Sequence, residues 1–124
     1  ILDGVASATH DEKAFCAAEE DLCRVMESND ISMIPQGFIT GAAGGLLNEC
    51  LVRKIQGVTL LVKANDKGAD PLAAATLVEA VNRAYDMNID TSDLRKEKNR
   101  IGADFKELSD KYTAHKKTDS NMYM

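Results

Sequence analysis

The chain has 124 residues, 44% of them apolar and 28% charged, which suits one globular domain with a real core and not a disordered segment. A formal net charge of −5 supplies no concentrated basic surface, so nucleic acid is excluded as the expected partner. No apolar run approaches the length of a membrane span, no signal-peptide pattern opens the sequence, and there is no tryptophan to build a stacking platform.

The opening residues Ile1–Ala8 carry no initiator methionine and read as a buried strand, with Val5–Ala8 its apolar run, so the sequence is expected to be part of something longer. Thr9 or Asp11 then caps a helix running to about Ser28, with Asp11 and Glu12 in its first turn and Phe15, Ala18, Leu22, Val25 and Met26 as its apolar stripe. Pro35 breaks the next segment, which holds a short strand at Phe38–Ile39. Thr40 caps a second helix, Gly41–Lys54, expected to turn Leu46, Leu47, Cys50 and Leu51 inward before Gly57. Val58–Val62 is a continuous apolar run, as expected of a strand buried on both faces. Asp70-Pro71 is a strong helix start, a cap residue followed by proline at the first helical position, and the helix runs to about Asp86 with Leu77, Val78, Val81 and Tyr85 on one side. A last helix spans about Ser92–His115. Strands separated by helices imply an α/β layered domain with a narrow, mainly parallel sheet of three strands.

Cys16, Cys23 and Cys50 are odd in number and lack Cys-x-x-Cys spacing. They read as small buried apolar groups in a reducing cytoplasm and not as metal ligands or disulfides. The glycine-rich segment Gly37–Gly45 could cradle a phosphate at a helix N-terminus, but it lacks the Lys-Ser/Thr of a P-loop and the dinucleotide spacing; close helix packing explains it better. Asp66, Asp70, Asp86 and Asp90 match no calcium loop and read as caps and loop residues. His10 and His115 have no nucleophile at motif spacing, and Ser7 and Thr9 sit in no nucleophile elbow. The sequence therefore offers no catalytic, cofactor or metal site.

Two features face outward instead. Leu94, Ile101, Phe105, Leu108 and Tyr112 follow a coiled-coil-like spacing within a highly charged helix, for packing on the parent domain or on another subunit. Beyond residues 1–112, residues 113–124 read as a flexible tail: Thr113–Asn121 has no large apolar residue, and the chain ends Met122-Tyr123-Met124. An apolar residue, a tyrosine and a free carboxylate at a solvated tip suit presentation to a basic pocket on a partner. Such an ending arises by chance only about once in a hundred chains.

Three segments together resemble the archaeal branch of the proteasome assembly chaperone family, relatives of the eukaryotic second proteasome assembly chaperone. They are Gly37-Phe38-Ile39-Thr40-Gly41-Ala42-Ala43-Gly44-Gly45-Leu46-Leu47-Asn48-Glu49, the strand Gly57–Val62, and Asp70-Pro71-Leu72-Ala73-Ala74 continuing to Asn82. Asn88–Leu94 is similar to the family's link into its final helix. The resemblance implies a three-layer α/β/α fold, phosphorylase-like without that chemistry, of which this sequence would be the C-terminal part. It also implies a cytoplasmic, non-enzymatic homo-oligomer with no cofactor, binding proteasome α-subunits or the 20S core particle. Its hydrophobic-Tyr-X tail, here Met122, Tyr123 and Met124, would enter pockets between α-subunits, the carboxylate pairing with a lysine. The alternative expectation is a phosphate- or nucleoside-binding enzyme on the same scaffold, with Gly41–Gly45 at the anion.

Overall fold

The computed structural model describes residues 1–9 and 11–122. The elements are β1 (Leu2–Ala6), β2 (Ala14–Ala18), α1 (Glu20–Glu27), β3 (Ser32–Met33), α2 (Gly41–Arg53), β4 (Val58–Ala64), α3 (Pro71–Tyr85) and α4 (Ser92–Met122). The sheet has four strands in the order β1-β4-β2-β3. β1 runs parallel to β4 and β3 parallel to β2, whereas β2 runs antiparallel to β4.

β4 behaves as its sequence predicts. It lies between two strands, and Thr59, Leu60, Leu61 and Val62 are all buried. Alternation divides them between two faces. Leu60 and Val62 join Ala14 and Cys16 of β2 in one core with Cys23 and Met26 of α1 and Ala73, Leu77 and Ala80 of α3. Each large aliphatic side chain buried this way contributes about 1.5–3 kcal/mol. The face of Leu61 borders Val5, Phe15 and Ile34, and α2 lies against β4 as well. Helices thus flank the sheet in the three-layer α/β arrangement expected.

The helix expected from Asp11 to Ser28 is overturned. Its first half is a strand: Ala14–Ala18 pairs with Val58–Val62 on one side and, through Phe15 and Cys16, with β3 on the other. Only Glu20–Glu27 is helical. Alanine-rich local preference for helix yields here to two ladders of backbone hydrogen bonds and a buried position. Asp11 is not a helix cap; its carboxylate accepts from the Lys63 ammonium at 2.8 Å. The strand expected at Phe38–Ile39 is also absent, its place in the sheet taken by Ser32–Met33, and Phe38 is 98% exposed. The burial expected of β1 is overturned too: all five of its residues are exposed, because it is an edge strand joined to the sheet only through β4.

α3 starts as its sequence dictates. The Asp70 carboxylate accepts the Ala73 amide at 3.0 Å and Pro71 opens the helix. Asp86, at φ 50°, closes it in the left-handed region. Its inward stripe is Leu72, Ala73, Thr76, Leu77 and Ala80; Tyr85 faces out. α2 ends at Lys54, also left-handed at φ 57°, but of its residues only Ala43 is fully buried, and Leu46 and Leu51 are exposed and not inward. Cys16 and Cys23 are buried and Cys50 is half-buried, all three as free thiols. Burial first, and the neighbouring Cys23 second, push the Cys16 thiol up to about 12.

Candidate partner-binding surface

The outward-facing helix is rooted by a turn that the Asn82 side chain pins to the backbone of Ile89. Its Nδ2 donates to the Ile89 carbonyl at 2.9 Å, and its Oδ1 accepts the Ile89 amide at 3.0 Å. The Asp90 carboxylate then accepts both the amide and the hydroxyl of Ser92, each at 2.9 Å, and these hydrogen bonds hold its carboxyl below the ordinary range. This satisfies donors that the start of α4 would otherwise leave open.

One turn further on, Arg95 ties α4 to the body. Its guanidinium donates to both oxygens of Glu79 on α3, from Nη2 at 2.9 and 3.0 Å and from Nε at 3.1 Å, and reaches Glu12 at 3.2 Å. The Thr91 hydroxyl adds a bond to Glu79 at 2.9 Å. Partial burial opposes ionisation of Glu79, but the hydrogen bonds from Arg95 and Thr91 outweigh it, so its carboxyl lies below the usual 4.5. The bond to Glu79 correspondingly raises Arg95. A forked guanidinium–carboxylate pair fixes direction as well as proximity. Nothing local announces it: Glu79 and Arg95 are 16 residues apart and belong to different helices.

Past this root α4 leaves the body. Ile101 and Gly102 still border the turn at Ala69–Pro71, yet every residue from 98 to 117 is exposed. The stripe read from the sequence is accordingly uncovered: Leu94 is half-buried, while Ile101 is 38%, Phe105 74%, Leu108 67% and Tyr112 70% exposed. Beyond Ile101 the stripe does not pack against the described part of the domain. α4 runs as helix through Thr113–Asn121, past the expected end at His115, and has Met122 as its last residue. Tyr123 and Met124, the other two residues of the expected docking tip, lie outside the described residues, as does His10.

The remaining sequence candidates serve local structure. A Cβ on Gly44 would sit 2.3 Å from the Ile39 carbonyl oxygen, so close packing explains that glycine, and Gly41 adopts φ +67°. Asp70, Asp86 and Asp90 cap or close helices, and Asp66 is exposed in a loop. Ser7 Oγ is within 3.0 Å of the Thr9 carbonyl and accepts the Thr9 amide at 3.2 Å. A cleft of about 430 Å³ at the carboxyl ends of β1 and β4 is lined by Ser7, Thr9, Asn65, Asp66 and Lys67; the first part of the glycine segment, Gly37 to Thr40, instead borders a separate cleft of about 420 Å³ beside Asp3 and Gly4. Among the described residues, no helix is long and apolar enough to cross a membrane.

Residues 1–109 match the model of the PAC2 family. The chain belongs to the PAC2 family. That is the family anticipated from the glycine segment, β4 and the Asp70-Pro71 helix. The fold is similar to that of Pyrococcus furiosus PbaA, described as an archaeal homolog of proteasome-assembly chaperone, at 23% identity and a TM-score of 0.86, covering 98% of this chain and 52% of that one. It is also similar to Pyrococcus furiosus PbaB, described as an archaeal proteasome activator, at 23% identity and a TM-score of 0.75, covering 87% and 49%. An uncharacterized protein of Methanocaldococcus jannaschii is 28% identical over 111 residues, 90% of this chain and 46% of its own length. The chain thus spans about half the length of the relatives it matches.

Proposed function

We propose that this PAC2 chain is a non-enzymatic, cytoplasmic proteasome-binding protein of the assembly-chaperone or activator kind, acting as a homo-oligomer. In this reading Met122, Tyr123 and Met124 enter pockets between neighbouring α-subunits of the 20S core particle. The observation that carries the reading is α4: 31 residues of helix, fixed at its root by Arg95 and exposed from residue 98 to residue 117, a stalk that leads away from the body toward the C-terminus. At 1.5 Å per residue, that helix is about 46 Å long. The likeness to PbaA, a homolog of proteasome-assembly chaperone, and to PbaB, a proteasome activator, supports the choice of partner.

The chemistry of the tip suits a shallow basic pocket. The tyrosine ring and methionine side chains supply apolar area, at about 1.5–3 kcal/mol for a fully buried side chain, and the terminal carboxylate supplies one directed charge. Association alone costs about 4 kcal/mol or more, so one tail binds weakly and an oligomer raises the apparent affinity through effective concentration. The test is native co-migration with archaeal 20S particles and with free α-subunits. The full chain is expected to shift with them, while a chain lacking Met122–Met124, and Tyr123→Ala, are expected not to. Undiminished binding by either variant overturns the docking mechanism.

A further inference from the structure

We propose that Arg95 is a positioning residue for partner docking: its bonds to Glu79 and Glu12 hold α4 in one direction, so that the tips of several chains reach neighbouring pockets together. This rests on the docking reading above and names a residue which that reading needs. The starting point is how little holds α4. Leu94 is half-buried, and Ile101 and Gly102 border the turn at Ala69–Pro71, but every residue from 98 to 117 is exposed. The helix is therefore a lever pivoted near its own start. From Arg95 to Met122 it measures about 40 Å at 1.5 Å per residue, so a tilt of roughly 10° at the root carries the far end about 7 Å.

Aiming such a lever takes restraint in more than one plane. Nε and Nη2 of Arg95 donate to the Glu79 carboxylate on α3 at 2.9–3.1 Å, and the planar fork fixes the guanidinium against it. A pair with Glu79 alone would leave α4 free to swing about that contact. Nη1 of the same rigid plane donates to Glu12, just ahead of β2, at 3.2 Å, so a second carboxylate from a different element removes the swing. The Thr91 hydroxyl holds Glu79 from the preceding turn at 2.9 Å. A lysine at this position would bring a point charge on a flexible stem and no fork. The ion pairs further out, Arg100 with Glu97 and Lys111 with Glu107, lie within α4 and stiffen it without aiming it. Direction matters because avidity is lost when geometry forbids simultaneous engagement, and a binding constellation tolerates only about 10–20° of misalignment.

The test compares the full chain with Arg95→Ala and Arg95→Lys in two readouts. The first is the distance between spin labels at Gln56→Cys and Ser109→Cys, in a Cys50→Ser background and diluted with unlabelled chain; Cys16 and Cys23 are buried and escape the label. The second is affinity for archaeal 20S particles, beside a synthetic peptide of residues 113–124, which carries the tip without Arg95. Arg95→Ala is expected to broaden the distance distribution and weaken binding about tenfold, with circular dichroism and sedimentation unchanged. Arg95→Lys is expected to fall between it and the wild type in both, and the peptide to bind weakly whichever residue stands at 95. A purely structural role would lower Tm and leave the distances narrow. Wild-type distances in Arg95→Ala, or undiminished binding by Arg95→Ala where wild-type binding depends on the tail, overturn the positioning role and leave the docking reading standing. A wild-type chain and a peptide that both fail to bind overturn the docking reading and the positioning role with it.

Discussion

Gly44 and Gly45 are neighbours in α2 and share a helical environment, so alanine at each should gain the same backbone term, roughly 0.5–1 kcal/mol. Their surroundings differ. A Cβ on Gly45 meets nothing within 4 Å, whereas one on Gly44 lies 2.3 Å from the Ile39 carbonyl oxygen and 2.9 Å from its carbon. Relief of that overlap requires moving backbone, which places the cost toward the upper end of the roughly 1–3 kcal/mol of overpacking. Gly45→Ala should therefore stabilise by up to about 1 kcal/mol, and Gly44→Ala should destabilise by about 1–2 kcal/mol. The expected gap between the two is about 2–3 kcal/mol, or on the order of 10 °C in Tm for a domain this size. Urea unfolding followed by far-UV circular dichroism reads both. Equal stability of the two variants, or a Gly44→Ala protein as stable as the wild type, refutes the packing account of the glycine segment and reopens it as an anion cradle.

Two further outcomes follow from the fold. Thr59 is fully buried in β4 and its hydroxyl has no hydrogen-bond partner among the described residues, so the nearly isosteric Thr59→Val should raise stability by about 1 kcal/mol in the same assay; a loss would show that the hydroxyl is satisfied. Glu79 has a folded pKa below its ordinary 4.5, so the stability it contributes is present above about pH 4.5 and disappears as pH falls through the lower folded value. Glu79→Gln should cost less than about 1 kcal/mol at neutral pH, flatten the acid limb of the stability profile, and speed amide exchange in the first turns of α4. An unchanged acid limb would remove Glu79 from the anchor.

Where a signal lies within a few residues, the sequence reports it faithfully. Asp70-Pro71 marks the start of α3 because cap and proline act on adjacent backbone. Val58–Val62 marks β4 because a strand buried on both faces needs an unbroken apolar run. The pairs Glu20–Arg24, Glu49–Arg53 and Glu107–Lys111 form at helical spacing. The candidate surface is partly legible in the same way, since the steps between Ile101, Phe105, Leu108 and Tyr112 are periodic whatever the helix packs against.

What the chain determines by itself is thus the local grammar: the Asp70-Pro71 helix start, the buried strand β4, the apolar seam and the segments that mark its family. Tertiary structure alone decided that Ala14–Ala18 is a strand, because its two hydrogen-bonding neighbours, β4 and β3, are supplied from elsewhere in the sequence. It alone decided that β1 is exposed and that Leu46 and Leu51 face out, since burial depends on what lies opposite. It also decided that the seam is left uncovered by the described residues: the bond from Arg95 to Glu79 joins residues on two different helices, and that bond sets where α4 points.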